Sequence, residues 1–336
     1  MESRWGGRRL AATTLALAAL GSPGCGPGAL CRGGEPVTVD GDLDLSTASP
    51  GQISRLTCVT EVTGDLLVRD NPAVSDLDGL GSLTRVGRRT SITGLPRLTS
   101  LRGLGSLASL GGDVFIESNP TLVDLSGLES LEQVGGTLSI FGNDAQTSLH
   151  GLERLSRVGT LRIQSSPSLR DLGGLSGLTE ANAIQLSGNP ALQDLEGLSS
   201  LTGVYLELVG NDGMVSLQGL GPLTEVNSLI LDDNPSLASL ADLAGHMNPT
   251  QTGLLIEENS ALSGLTGLEG IRGITLNLMI SSNDRLSNVD ALHDLEEVGG
   301  DVVITGNPLL DTADAEELVD GIDTIGGDVD VRGNGS

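Results

Sequence analysis

Carboxylates are the commonest reactive side chains in this chain of 336 residues: 44 Asp and Glu stand against 18 cations, every one an arginine, with three His and three Cys. Two adjacent pairs, Asp232-Asp233 and Glu257-Glu258, lie 25 residues apart. Carboxylates grouped in this way can bind calcium, which takes several oxygen ligands, or attract a basic partner. They can also cleave glycosidic bonds, provided that two stand about 5 to 9 Å apart. Asp232 and Glu257 could serve that last chemistry, so a polysaccharide-cleaving enzyme is a minor alternative. The rest of the composition argues against it. Aromatic residues that stack on sugar rings are nearly absent, with two Phe, one Tyr and one Trp. His150, His246 and His293 are far apart in sequence and have no recognisable nucleophile beside them. A P-loop would need a lysine, and no CxxC or Cys/His cluster suggests zinc. The chain therefore reads as a non-enzyme, with no cofactor and no assigned metal site.

Net charge is −26, which repels phosphate backbones and anionic headgroups, so a nucleic-acid partner is excluded. The charge is uneven. Residues 26–175 hold 12 Arg and 17 acids, whereas residues 176–336 hold 3 Arg and 26 acids.

The element that must position these groups is an internal repeat. The pattern LxIxxNPxL places anchors at Asn71, Leu95, Asn119, Asn143, Ser166, Asn189, Asn211, Asn234, Asn259, Asn283, Asn307 and Asn334, spaced by 22 to 27 residues. Apolar residues stand three and five positions before each anchor, as in Val114 and Ile116 or Val302 and Ile304, with Thr90 the one exception. That period of two predicts a short strand with one buried face. One such strand cannot bury its apolar face alone, but strands stacked about 4.8 Å apart form a parallel sheet over a continuous aliphatic core. Asparagine at the turn tolerates unusual backbone angles and can bond the local main chain. In register, the amides can also bond between coils as a ladder. Gly pairs before the strands, such as Gly111-Gly112 and Gly299-Gly300, permit a sharp bend. The segment TADAEELVDGI reads as a closing helix capped by Thr312 or Asp314. Asp328 and Asp330 then guard the last edge.

Function must lie on residues that the fold does not require. Four residues before the anchors, on the outward face, four consecutive coils carry Ile230, Leu255, Met279 and Val303. In register they would form an aliphatic stripe about 15 Å long, bordered by Asp232 and Glu257. Phe115 and Phe141 form a second, smaller outward patch.

The N-terminus is read as a signal peptide, residues 1–24: Arg4, Arg8 and Arg9 precede an eleven-residue apolar run, Leu10–Leu20, too short to span a bilayer. The following GSPGC resembles the lipobox of bacterial lipoproteins, with Gly24 in place and Ser22 where leucine is usual. The resemblance implies lipidation of Cys25, with residues 25–30 as a tether. Ordinary cleavage and free secretion is the alternative. Cys31 and Cys58 then remain, as one bridge or as two free thiols.

The spacing LxLxxN resembles the leucine-rich repeat. The fuller pattern VGGxLxIxxNPxLxxLxGLxxL resembles the receptor L domain, the ligand-binding unit of insulin- and EGF-type receptor ectodomains. The opening CRGGEPVTVDGDLDLS with LTCVTEVTGDLLVRDN places Cys31 and Cys58 like that family's N-terminal cysteine pair. The resemblance implies a right-handed, single-stranded parallel β-helix, leucine-rich-repeat-like, over residues 31–336, and the twelve anchors give it about twelve coils, more than one L domain holds. It is read as one domain or as two fused units, 31–175 and 176–336. The resemblance also implies binding outside the cell; the leader and the lipobox-like GSPGC make the expected location that of an outer-membrane or cell-surface lipoprotein, otherwise a secreted protein. The expected partner is an extracellular protein or glycan, with membrane contact only through the lipid. A structural spacer or adhesin that self-associates is the alternative.

Overall fold

The computed structural model describes residues 8–11, 31, 35–201, 203–220, 225–245, 247 and 249–336. Apart from one short strand, Arg8–Ala11, paired in parallel with Val37–Asp40, the expected leader and tether lie outside the described residues, as do Cys25 and His246. The chain is a parallel β-solenoid of about twelve coils in two compact units, Met1–Arg162 and Ile163–Ser336.

In the first unit, Leu66–Arg69, Thr90–Thr93, Val114–Glu117 and the end of Gln133–Phe141 stack in strict register, Leu66 on Thr90 on Val114 on Leu138. A parallel row beside it joins Glu61–Val62 to Arg85–Val86, Ser109–Leu110 and Gln133–Val134. In the second unit, Glu180–Ser187, Gly203–Val209, Glu225–Asp232, Leu254–Glu257, Leu278–Ser281, Val302–Thr305 and Val329–Arg332 form the main sheet. A second sheet of two-residue strands joins Thr250–Gln251, Gly273–Ile274, Glu297–Val298 and Thr324–Ile325.

Each strand turns alternate side chains inward, and the inward ones are aliphatic and buried: Leu229 and Leu231, Leu254 and Ile256, Leu278 and Ile280. The return path contributes a second leucine set through one-turn 3-10 helices such as Asp78–Leu80 and Arg102–Leu104, where Leu80 and Leu104 are buried. Each buried leucine contributes about 1.5–3 kcal/mol of transfer free energy, so one residue type repeated at one spacing replaces the aromatic core of an ordinary globule. Thr90, the polar exception, is also buried, and its hydroxyl has no partner.

The asparagines form the expected ladder, by a sharper rule than amide stacking alone. The Asn119 side chain donates from Nδ2 to the Ile92 carbonyl and accepts at Oδ1 from the Leu95 N–H, both on the coil before it. Asn143, Asn211, Asn234, Asn259, Asn283, Asn307 and Asn334 repeat the same pair of bonds, at 2.8 to 3.2 Å. Within the second unit the ladder starts where Asn189 binds the Ile163 carbonyl and the Ser166 N–H. Asn71 differs, donating to the carbonyls of Leu45 and Ala48.

The unusual backbone angle falls one residue earlier than the asparagine. Asp70, Gly94, Ser118, Gly142, Ser165, Gly188, Gly210, Asp233, Glu258, Ser282, Gly306 and Gly333 all adopt the left-handed region, with φ between 49° and 68°. This corner separates the carbonyl and N–H that the next coil's amide brackets. The Gly pairs have a different basis from the expected bend. A Cβ on Gly111 would strike the Gly87 carbonyl, and one on Gly135 the Gly111 carbonyl, so these residues are small because coils approach closely there.

The Cys31–Cys58 disulfide is formed, with Cα atoms 5.4 Å apart. The closing helix is Thr312–Asp320, and its cap is Asp311 rather than Thr312 or Asp314: the Asp311 carboxylate accepts from the Ala313 N–H. Thr312 instead donates its hydroxyl to the Gly335 carbonyl at 2.7 Å. Among the described residues, no helix is long and apolar enough to cross a membrane.

Replacing buried Asn234 by leucine, the residue that position 95 carries naturally, strands the Asn211 N–H and the Leu208 carbonyl. A loss of about 2–4 kcal/mol is expected, read from urea unfolding. The left-handed corners give a paired test. Glu258→Gly should stabilise by about 1 kcal/mol by relieving strain. Gly306→Ala should destabilise by a similar amount through backbone conformation alone, because the added methyl meets no atom closer than 3.6 Å.

Candidate binding face

The outward face of the second unit's main sheet carries two rows fixed by strand register. The first runs Glu207, Ile230, Leu255, Met279, Val303, Asp330. The second, two residues further along each strand, runs Val209, Asp232, Glu257, Ser281, Thr305, Arg332. The four aliphatic residues singled out in the sequence are thus direct neighbours on consecutive rungs, about 4.8 Å apart. All four are half-buried, because the adjacent rungs shield their flanks while their tips stay open.

Both ends of the aliphatic row are acidic. Glu207 accepts from Gln185 Nε2 at 2.7 Å. Asp330 pairs with Arg332 at 3.0 Å. Along the flank, Glu257 accepts from the Ser281 hydroxyl at 2.6 Å. The Asp232 carboxyl is held above its ordinary range, first by partial burial and then by the negative charges of Glu257, Glu258 and Asp233. Asp233 and Glu258, the next residues along, are exposed and occupy left-handed corners. The second unit's ion pairs include Arg272–Glu296, His293–Asp294 and Arg332–Asp330. None of these brings a cation to Asp232, Asp233, Glu257 or Glu258.

Asp232 and Glu257 are register partners, which places their Cβ atoms about 5 Å apart. Two cavities of the second unit lie elsewhere. One, of about 360 Å³, is lined by Val289, Asp290, His293, Asp314, Glu317, Leu318 and Gly321. The other, of about 440 Å³, opens along the small sheet between Arg272, Ile274, Glu297 and Asp323. Sequence reasoning missed both, since they arise where the closing helix and the small sheet meet return segments. A lone His293 amid helix-face acids was a signal for the first of them alone. Among the described residues, no three His, Cys, Asp or Glu side chains converge as metal ligands.

In the first unit, Phe115 pairs across the strands with Ser91 and Ser139, and Phe141 with Glu117. The two rings are therefore diagonal neighbours, and the Arg89 guanidinium lies 5.5 Å from the Phe115 ring centre. His150 Nδ1 lies 2.6 Å from Glu153 Oε1, a hydrogen bond that raises the imidazole's pKa. His293 lies against the Asp290 carbonyl at 2.8 Å.

The raised Asp232 carboxyl fixes a pH signature. The folded chain keeps that proton to a higher pH than the unfolded chain, so stability falls as pH rises above the ordinary value of 3.8. Asp232→Asn should therefore stabilise the protein at pH 7, and the gain should vanish at pH 3, as read from thermal unfolding midpoints at both values.

Comparison with protein-family models, curated proteins and solved structures finds no match to this chain.

Proposed function

We propose that this chain is a non-enzymatic binding protein of the cell exterior, exported by its N-terminal leader and tethered through a lipid on Cys25. The second unit's outward sheet face meets a protein or glycan partner. One observation carries the reading: Ile230, Leu255, Met279 and Val303 stand in unbroken register on four rungs, with acids at both ends and along one flank. The fold needs no aliphatic residue at these outward positions, since the equivalent sites on other coils hold Ser91, Gln185 or Glu207. Apolar side chains side by side on an exposed face are a contact signature. The likeness to receptor L domains in the repeat pattern supports the same class of function.

A photo-crosslinking residue at position 279 of the full-length exported protein, activated on intact cells, tests the face. Crosslinked product is expected. It should disappear on addition of Ile230→Ser and Leu255→Ser, with the circular dichroism spectrum unchanged. Crosslinking that persists in that variant removes the stripe as the contact. The tether is tested by Cys25→Ser, which should move the protein from the membrane fraction to the medium.

A further inference from the structure

Resting on that reading, we infer that the partner is a cationic polypeptide segment, with aliphatic side chains on the stripe and Lys or Arg beside them at Asp232 and Glu257. The two rows are one composite surface. They lie two residues apart on the same strands, about 6.6 Å from row to row, so a single extended or coiled segment covers both. The apolar row supplies area to bury, and the acidic row selects what lies next to it.

Charge narrows the occupant. Residues 163–336 hold 27 acids and four arginines, of which Arg272 pairs with Glu296 and Arg332 with Asp330. The stretch of flank holding Asp232, Asp233, Glu257 and Glu258 is therefore left with four carboxylates and no ion-paired cation, while Arg332, at the far end of the row, is engaged by Asp330. Mutual repulsion there is relieved by positive charge from outside, and electrostatic complementarity of this kind sets partner choice and association rate. A second copy of the same face brings like charge against like. A glycan gains little from a row of aliphatic tips that offers no aromatic ring, and anionic lipid or nucleic acid is repelled.

The test uses the full mature chain and a fluorescent 14-residue peptide of alternating valine and lysine, read by anisotropy in 150 mM salt. Two control peptides replace all lysines by glutamate or all valines by serine. Binding of the Val/Lys peptide is expected, weakened at least tenfold in each control. It should weaken equally in the protein variants Leu255→Ser with Met279→Ser, and Asp232→Asn with Glu257→Gln. Raising salt to 500 mM should weaken it further. Equal binding of the Ser/Lys peptide, or undiminished binding by the Leu255/Met279 variant, would show general adsorption to an acidic surface and overturn the inference. Equal binding of the Val/Glu peptide would overturn it too. If the Val/Lys peptide fails to bind while position 279 still crosslinks on cells, the cationic partner is wrong and the binding face stands.

Discussion

Everything in this fold depends on one corner. At the end of each main strand the chain turns through a left-handed residue, which aims the carbonyl three residues before the anchor and the anchor's own N–H toward the next coil. Those groups are buried, and left unpaired each would cost about 1–3 kcal/mol. The asparagine of the following coil meets both with one planar amide, its Nδ2 on the carbonyl and its Oδ1 on the N–H. Because the amide needs both targets at once, it locks each coil onto its predecessor in a single register. A slip of one residue would break both bonds and turn the aliphatic row outward.

The same corner explains which parts of the fold were legible in the sequence. Asparagine is visible because its amide alone offers a donor and an acceptor at the right separation. The aliphatic pair before it is visible because burial tolerates little else. The left-handed residue is hidden: six corners are glycine, but Asp70, Ser118, Ser165, Asp233, Glu258 and Ser282 look like ordinary surface residues. The bracket holds the conformation, so residue type is only weakly selected there. Leu95 shows the reverse case. Its N–H is still bracketed by Asn119, and its side chain fills the core in place of an amide. The helix cap was misplaced by one to three residues because Asp311, Thr312 and Asp314 are all competent caps. Only the approach of the last coil, which draws the Thr312 hydroxyl to Gly335, decides among them.

The stripe was legible for the same reason. Strict register converts a count of four residues before an anchor into a spatial row, so outward neighbours can be read from the sequence once the anchors are known. Charge at the flank was legible as composition but not as environment. That Asp232 is partly buried and crowded by three other carboxylates, while the unit's paired arginines stand elsewhere, follows from where the rungs place them. The two cavities were illegible, since they depend on how return segments and the closing helix pack.

A β-solenoid has an inherent tension between its ends and its middle. Interior rungs are satisfied on both sides: Val302 and Ile304 are fully buried. On the Val329–Arg332 rung the matching Val329 is 48% exposed, with no coil packed over it among the described residues. Apolar surface on this rung and on the middle rungs of the second unit has different origins, and single apolar side chains, Val215, Leu276 and Leu309, are exposed elsewhere in it. At the Val329–Arg332 rung it lies at an edge of the sheet, where Asp328 and Asp330 beside it oppose edge pairing. On the face of the middle rungs no edge is involved, and outward positions there are free to be polar, as Glu207 is on the neighbouring rung. Four aliphatic residues kept at such positions, with four carboxylates left uncompensated beside them, oppose both solubility and electrostatic stability. A cationic, partly apolar surface laid across the rungs relieves both at once.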